Sequence, residues 1–175
     1  MSAKVKVSLV VAMSDNGVIG KAGGLPWHLR SDLKRFKEIT ASKPILMGSN
    51  TWDSLPRKPL PGRLNLILSR DPRFEAAGGV ICGSLFEALD IAREHASEEG
   101  LDEICVIGGA NIYEQTLQKA DRLYVSHVHA NVEGDAVFPE IDPEIWQVKE
   151  SQDFTRTEDD DYDFTLKIYE RKPVR

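Results

Sequence analysis

Residues 5–13 read VKVSLVVAM, a stretch that alternates at first and is continuously apolar from Leu9 onward. An apolar run of this length is typical of a central β-strand that is buried on both faces. The turn signal Ser14-Asp15-Asn16-Gly17 ends the strand. The next segment, 17–26, contains four glycines, which predicts an unusually mobile connection. Long loops of this kind are often functional.

Helical and extended patterns alternate downstream. The sequence predicts further strands at 44–47, 64–69 and 103–107, and helices at 29–39, 48–55, 84–100 and 110–119. Beyond the last helix, strands at 123–128, 146–153 and 162–170 follow one another. This order predicts an α/β fold with a mixed, mainly parallel sheet that ends in antiparallel strands. We expect a single domain over residues 1–175.

Composition argues against several classes of protein. The net charge of -6 disfavours a nucleic-acid partner, for which a basic face would be expected. No stretch approaches the ~20 apolar residues that a membrane span requires. Cys82 and Cys105 lie outside any paired metal-ligand or redox spacing, so we expect two reduced thiols in a cytoplasmic protein.

Glycines mark two places where a predicted strand runs into a predicted helix. One is Ile107-Gly108-Gly109 and the other is Met47-Gly48-Ser49-Asn50-Thr51. Exposed backbone N–H groups and the helix dipole favour an anion at such a step, although strand-to-helix glycines more often only relieve crowding. Two such sites in one sheet suit the two phosphates of a dinucleotide. Neither is the Rossmann GxGxxG fingerprint, so a dinucleotide would bind to a different fold.

Asp32 is the most informative single residue. An acid on the core side of a helix must be paired, solvated by a cleft or kept for function. A lone acid here is more simply a helix-end residue favoured by the macrodipole, but Leu25-Pro26-Trp27 and the glycine-rich loop directly precede it. Arg63, after Leu60-Pro61-Gly62, suits a carboxylate with two parallel hydrogen bonds, and Arg70 follows a strand in the same way. Each arginine taken alone is an ordinary surface residue.

Two further patterns have simpler explanations. His127 and His129 have the spacing of a metal pair on one strand face, but no third ligand is evident nearby. We therefore interpret them as sheet residues and expect no metal. The acidic run 158–161, with Asp163, is most simply a solvated hairpin tip.

Taken together, in this order and at these spacings, the motifs resemble bacterial-type dihydrofolate reductase. The likeness runs from the first strand to the last and is carried by Val18-Ile19-Gly20, Leu25-Pro26-Trp27, Asp32-Leu33 with Phe36, Lys43-Pro44, Met47-Gly48, Thr51-Trp52, Leu60-Pro61-Gly62-Arg63, Ile107-Gly108-Gly109, Tyr113-Glu114 and Gly134-Asp135 with Phe138-Pro139.

The resemblance implies an eight-stranded sheet with four helices and a definite reaction. NADPH would transfer a hydride to C6 of 7,8-dihydrofolate and N5 would be protonated, giving 5,6,7,8-tetrahydrofolate. Asp32 would hydrogen-bond the N3 and 2-amino edge of the pterin. Trp27 and Leu25 would border the reacting rings, with a water delivering the proton, and residues 17–25 would form a lid that excludes water.

The resemblance also implies the binding residues. Those for dihydrofolate would be Asp32, the backbone of Val10 and Ile107, the hydroxyl of Ser126, Tyr113, an apolar wall of Leu33, Phe36 and Leu55, and Arg63 at the glutamate tail, assisted by Lys58 or Arg57. Those for the cofactor would be Ala12 and Ile19 at the nicotinamide, with Val18, Gly20, Gly48, Ser49, Asn50, Thr51, Leu68, Ser69, Arg70, Ile107, Gly108, Gly109, Ala110, Asn111, Ile112 and Tyr113.

One departure concerns the adenosine 2′-phosphate. Relatives often carry basic residues at the positions of Ser49 and Asn111, and this chain has neither. Ser69 and Arg70 remain as candidate phosphate ligands, so NADPH is favoured over NADH. The resemblance further implies antifolate inhibitors as ligands and a monomer. The rival interpretations are a non-catalytic pterin- or nucleotide-binding protein and the riboflavin-pathway reductase, which shares the fold but acts on a ribosylated pyrimidine.

Overall fold

The computed structural model describes residues 5–21 and 25–173. Its strands are β1 (Lys6–Ser14), β2 (Val18–Gly20), β3 (Ile45–Gly48), β4 (Asn65–Leu68), β5 (Val80–Cys82), β6 (Glu103–Gly108), β7 (Arg122–Val128), β8 (Ala136–Val137), β9 (Trp146–Phe154) and β10 (Phe164–Arg171). Its α-helices are α1 (Arg30–Thr40), α2 (Ser49–Ser54), α3 (Leu85–Glu98) and α4 (Ala110–Thr116), and a 3-10 turn (Leu117–Lys119) follows α4.

Eight strands form one sheet in the order β5-β4-β3-β6-β1-β7-β10-β9. The pairs from β5 to β7 are parallel, whereas β10 is antiparallel to both β7 and β9. The predicted mixed, mainly parallel sheet with antiparallel C-terminal strands is therefore confirmed.

Helices cover both faces of the sheet because the central strands are apolar on both sides. Leu9 and Val11 pack with α3 and α4 on one face, and Val10 packs with α1 and α2 on the other. The prediction that the first strand is buried on both faces is thus correct. No helix in the described ranges is long and apolar enough to cross a membrane. Cys82 and Cys105 are buried free thiols.

Three elements differ from the sequence prediction. β5 was not predicted, because Val80 and Ile81 are exposed and the strand is too short to show a pattern. The glycine-rich connection is not a loop throughout, since β2 pairs with β8 in a separate two-stranded sheet. The last strand begins two residues later than predicted, at Phe164.

The pairing of β1 with β6 ends before the carboxyl ends of these two strands. The register between them runs from Lys6↔Glu103 to Leu9↔Val106, whereas β1 stays paired with β7 as far as Ser14↔Val128. The carboxyl ends of β1 and β6 therefore diverge beside Val10 and Ile107. In open α/β sheets, ligands bind at this edge.

Candidate active site

Asp32 lies in the first turn of α1, which begins after Leu29. The core-facing side that the sequence predicts for this helix is present, because Phe36 and Ile39 pack against the cluster that contains Val10 and Ile107. Thr40 is the buried residue within α1, Leu33 is 46% exposed, and Asp32 itself is half-buried. The helix therefore presents a partly covered apolar face, as expected of the wall of a cleft.

The Asp32 carboxyl group has one hydrogen-bond partner among the described residues. Ser126, which sits opposite Ala12 in the β1–β7 register, donates its hydroxyl hydrogen bond to Oδ1 at 2.5 Å. Burial raises the pKa of Asp32 to about 6; the Ser126 hydrogen bond opposes this rise and the negative charge of Asp160 adds to it. No described cation forms an ion pair with Asp32, so it exchanges a proton near neutral pH.

Tyr113 closes the inner end of the cleft. Its hydroxyl donates to the Val10 carbonyl at 2.6 Å, and its ring lies 5.1 Å from that of Phe138. Burial, followed by the nearby Asp32 carboxyl, raises the pKa of Tyr113 above its usual range, so the phenol stays neutral. A Cβ added to Gly108 would lie 3.2 Å from the Tyr113 hydroxyl, and Gly108 has φ of +119°. Only glycine therefore fits beside Tyr113.

Trp27 borders the other side of the cleft. It is buried in a small apolar cluster with Leu29, Val128 and Phe164, and Ala12 packs against that cluster. Its indole Nε1–H is buried and donates to none of the described residues. Such a donor suits a polar ligand atom or a solvent molecule. Leu25 is 59% exposed and follows directly on residues 22–24, where the predicted lid lies outside the described ranges.

An apolar wall continues from the end of the cleft where Asp32 lies. Phe36 and Leu55 pack against the cluster that contains Val10 and Ile107. The exposed Leu33 stands on the same helix as Phe36, one turn nearer to Asp32. The structure thus brings Phe36 and Leu55 together on one cluster, and Leu33 lies beside them on the exposed side of α1.

Arg63 stands at the far end of this wall, against the last turn of α1. Its Nε donates to Thr40 Oγ1 at 3.0 Å, Nη1 to the Pro61 carbonyl at 2.8 Å and Nη2 to the Lys37 carbonyl at 3.5 Å. A guanidinium has five N–H donors, so one remains on each of Nη1 and Nη2. Burial lowers its pKa, but an arginine stays charged at neutral pH. Arg63 is thus held in place with one N–H on Nη1 and one on Nη2 still available to a ligand.

The structure does not distinguish between Arg57 and Lys58 as the residue that assists Arg63. Arg57 and Lys58 are both exposed, and within the described ranges neither side chain makes a hydrogen bond or ion pair.

The two glycine sites lie side by side. Met47 pairs with Gly108 in the β3–β6 register, a Cβ on Gly48 would lie 3.1 Å from Ile112 Cγ1, and a Cβ on Gly109 would lie 3.5 Å from Thr51 Oγ1. Gly48 and Gly109 are the N-cap residues of α2 and α4, and neither provides a side-chain cap. Free backbone N–H groups at two adjacent helix starts fit a pyrophosphate.

The carboxyl end of β4 adjoins this site. Leu68 pairs with Gly48, and Ser69 and Arg70 follow it. Arg70 is exposed, and its side chain has no hydrogen-bond or ion-pair partner among the described residues. Ser49, Asn50, Ala110 and Asn111 stand on the opposite helix starts.

The base of the predicted lid is anchored by β8 and the residues before it. The Asp135 N–H donates to the Gly20 carbonyl at 3.1 Å and the Phe138 N–H to the Gly17 carbonyl at 3.0 Å. Any Cβ on Gly134 would collide with Val18 and with the Gly20 carbonyl. Val18 and Ile19 are buried at this base, so β2 is packed firmly against the rest of the fold.

Comparisons with known proteins agree with this geometry. A family model described as dihydrofolate reductase matches residues 6–171. The chain is 40% identical over 166 residues to the dihydrofolate reductase of Bacillus subtilis (strain 168), with 95% of each chain covered. The chain belongs to the dihydrofolate reductase family. It is also 41% identical over 146 residues to the enzyme of Neisseria gonorrhoeae, covering 83% of this chain and 86% of that one.

A solved structure supports the same assignment. The dihydrofolate reductase from Enterococcus faecalis, complexed with NADP(H) and RAB-propyl, matches with a TM-score of 0.87 and 31% sequence identity. The match covers 99% of this chain and 100% of that one. The predicted fold class and the predicted enzyme class are therefore confirmed.

The hairpin tip between β9 and β10 differs from its prediction at one residue, Asp160. The prediction of a solvated tip is correct for Glu158, Asp159, Asp161 and Asp163, which are exposed. It is wrong for Asp160, which is only 4% exposed and accepts hydrogen bonds from Ser31 and Thr157. Sequence reasoning missed it because no local pattern connects Asp160 with Ser31, which lies 129 residues earlier.

The two histidines also have specific partners. His127 Nε2 lies 2.9 Å from the Tyr169 hydroxyl and His129 Nε2 lies 2.7 Å from Thr165 Oγ1. Within the described ranges, no group of three or more His, Cys, Asp or Glu side chains is arranged to hold a metal ion.

Proposed function

We propose that the chain reduces 7,8-dihydrofolate to 5,6,7,8-tetrahydrofolate in the cleft between Asp32 and the Gly108-Gly109 step. This is the activity of its family, in which bound NADPH supplies the hydride that C6 accepts. Asp32 is the observation that carries the proposal. It is a protonatable carboxyl group with a pKa raised to about 6 by burial, at the edge of the sheet where the glycine sites lie.

Asp32 anchors the pterin and promotes protonation of N5. Its second oxygen is free of partners among the described residues, so it suits the N3 and 2-amino edge of the ring while Ser126 holds Oδ1. A pKa near neutrality is what general acid–base work requires. The proton reaches N5 through water, which the buried Trp27 N–H and the exposed Leu25 would border.

The remaining predicted residues orient the two ligands. The backbone of Val10 and Ile107 completes the pterin site, with Tyr113 behind it. Leu33, Phe36 and Leu55 enclose the apolar middle of the folate, and the two spare N–H groups of Arg63 clamp the glutamate carboxylate. Lys58 or Arg57 assists. Antifolate inhibitors occupy the same cleft.

On the cofactor side, Ala12 and Ile19 flank the nicotinamide while the glycine sites hold the pyrophosphate. The other cofactor contacts are those predicted above: Val18, Gly20, Gly48, Ser49, Asn50, Thr51, Leu68, Ser69, Arg70, Gly108, Gly109, Ala110, Asn111 and Ile112. Closure of residues 17–25 over the site excludes water from the hydride step. We further propose that residues 1–175 form one domain that acts as a cytoplasmic monomer without a nucleic-acid or membrane partner.

The deciding experiment measures NADPH oxidation with and without dihydrofolate, and repeats it with NADH. We expect oxidation that depends on dihydrofolate and is faster with NADPH. A ribosylated pyrimidine serves as the alternative substrate. Turnover of that compound would favour the riboflavin-pathway reaction, and binding without turnover would favour a non-catalytic protein.

The cofactor preference is tested at Arg70. We expect Arg70→Ala to raise the KM for NADPH by about tenfold, the effect of one lost charge-assisted hydrogen bond to a phosphate, with little change for NADH. Arg73→Ala is the matched control, because Arg73 is an exposed arginine nearby that pairs with Asp71. Equal losses for both cofactors would remove Arg70 from the 2′-phosphate site.

A further inference from the structure

The helix that carries Asp32 lacks a cap of its own. Its N-cap residue is Leu29, which provides no side-chain hydrogen bond. A leucine has no acceptor on its side chain, so the first-turn N–H groups need a partner from elsewhere.

Asp160 supplies that cap from the β9–β10 connection. Its Oδ1 accepts from the Ser31 N–H at 2.9 Å and its Oδ2 accepts from the Ser31 hydroxyl at 2.7 Å. The N–H and the hydroxyl of Thr157 also donate to Oδ2, at 3.0 and 2.9 Å, and fix the carboxylate from its own side. Ser31 is the residue directly before Asp32.

The surrounding backbone continues this attachment. Leu29 and Asp160 form an isolated antiparallel bridge. Asp161 donates its N–H to the His28 carbonyl at 2.8 Å, and its carboxylate accepts from the His28 N–H at 2.7 Å. The segment between Trp27 and Asp32 is thereby held along the hairpin.

We propose that Asp160 is a positioning residue for the reduction of dihydrofolate: its carboxylate acts as an external N-cap that holds the first turn of α1, and with it Asp32, against Ser126 in the cleft. The proposal rests on the proposed role of Asp32. It deepens that role by naming a residue that touches neither Asp32's hydrogen-bond partner nor the apolar wall.

Asp160 also acts on Asp32 through its charge. Burial opposes ionisation of Asp160, but the hydrogen bonds from Ser31 and Thr157 overcome this and lower its pKa to about 2. The carboxylate is therefore negative wherever the enzyme works, and it helps to raise the pKa of Asp32. The other groups that face Asp32 are the Ser126 hydroxyl from β7 and the neutral Tyr113 phenol from α4. Burial is the largest cause of the raised pKa of Asp32, and the negative charge of Asp160 adds to it.

The test follows the single-turnover rate of hydride transfer against pH in Asp160→Asn, with NADPH and dihydrofolate both saturating. We expect the midpoint of the profile to move to lower pH, because Asp32 loses a like charge. Above the midpoint the rate falls about threefold for each half unit of that shift. Asp159→Asn is the matched control. It removes one charge from the same exposed tip, and among the described residues the Asp159 carboxylate pairs only with the exposed Arg30, at 3.8 Å.

Three further variants keep the proposal falsifiable. Asp160→Glu restores the charge and should return the midpoint toward that of the wild type, and Asp160→Ser repeats the test with a neutral cap if the asparagine variant folds poorly. A lower melting temperature with an unmoved midpoint in both neutral variants would make Asp160 merely structural and overturn the proposal. Asp32→Asn distinguishes a failure of the proposed role of Asp32 from a failure of the proposed role of Asp160. If that variant keeps the wild-type profile, the proposed role of Asp32 fails first.

Discussion

The half-buried Asp32 and the buried Glu103 lie near opposite ends of the sheet strands, and their pKa values shift in opposite directions. Glu103, at the start of β6, accepts hydrogen bonds from Ser8 and Lys43, both at 2.5 Å, from Tyr124 at 2.9 Å and from Arg122 at 3.3 Å. Asp32, at the carboxyl edge, accepts from Ser126.

Burial acts on both acids in the same direction, but the partners decide the outcome. Desolvation tends to raise the pKa of Glu103, yet the hydrogen bonds and charge of Lys43, together with Ser8 and Tyr124, lower it below its ordinary value. The pKa of Asp32 rises to about 6 because burial is opposed only by Ser126. A buried acid with cations around it is structural, whereas one without them is kept available for proton exchange.

The largest effect is expected for catalysis at Asp32. Asp32→Asn keeps an oxygen for the Ser126 hydrogen bond but cannot take up or release a proton. We expect the hydride-transfer rate at neutral pH to fall by at least about 100-fold, the usual contribution of a positioned acid–base group, and to recover partly in acid. Single-turnover kinetics over a range of pH measure this.

Glu103→Gln provides the contrast for that experiment. At a temperature where it remains folded, it should retain wild-type turnover, because Glu103 lies near the other end of the sheet strands. Unchanged turnover of Asp32→Asn at neutral pH would remove Asp32 from the mechanism and with it the distinction between the two acids.

The next effect is on stability at Glu103. We expect Glu103→Gln to lower the free energy of unfolding by about 2–3 kcal/mol at pH 7, because Lys43 and Arg122 lose the carboxylate they share. Glu103 has a lowered folded-state pKa, so its contribution is present above the ordinary value of 4.5 and is lost as pH falls through the folded-state value. Urea unfolding of both proteins at pH 7 and near pH 3 tests this, and a difference that does not shrink in acid would contradict it.

The smallest expected effect is on stability at Asp32, and there the substitution should stabilise the protein. The pKa of Asp32 is raised from 3.8 to about 6, so the folded state binds its proton more tightly than the unfolded state does. The favourable contribution of the protonated Asp32 to the free energy of unfolding is fully present below pH 3.8 and is lost as pH rises through 6. At neutral pH the ionised Asp32 therefore lowers the free energy of unfolding.

Asp32→Asn removes that unfavourable contribution. We expect it to raise the free energy of unfolding by about 1–2 kcal/mol at pH 7.5 relative to wild type, and by almost nothing near pH 3.5. Urea unfolding at the two pH values measures the difference. A loss of stability at pH 7.5 would show that Asp32 is held as Glu103 is, and the comparison between the two acids would fail.

The parts of this protein that the sequence alone determined are those with local signals. The apolar run before Ser14, the glycines at 108–109 and the context of Asp32 identified the central strand, the second glycine step and the candidate acid. Periodicity and turn chemistry act over a few residues, so they can be read from the chain. The family resemblance then supplied the eighth strand, which the short exposed β5 does not reveal by pattern.

Only the tertiary structure decided what surrounds each acid. Ser126 reaches Asp32 across 94 residues, Asp160 reaches Ser31 across 129, and Glu103 has partners on three strands or at their ends. The separation of β1 from β6 likewise depends on pairing between distant segments. Electrostatic environment is set by neighbours in space, and for that reason the sequence identified Asp32 but not the residues that set its pKa.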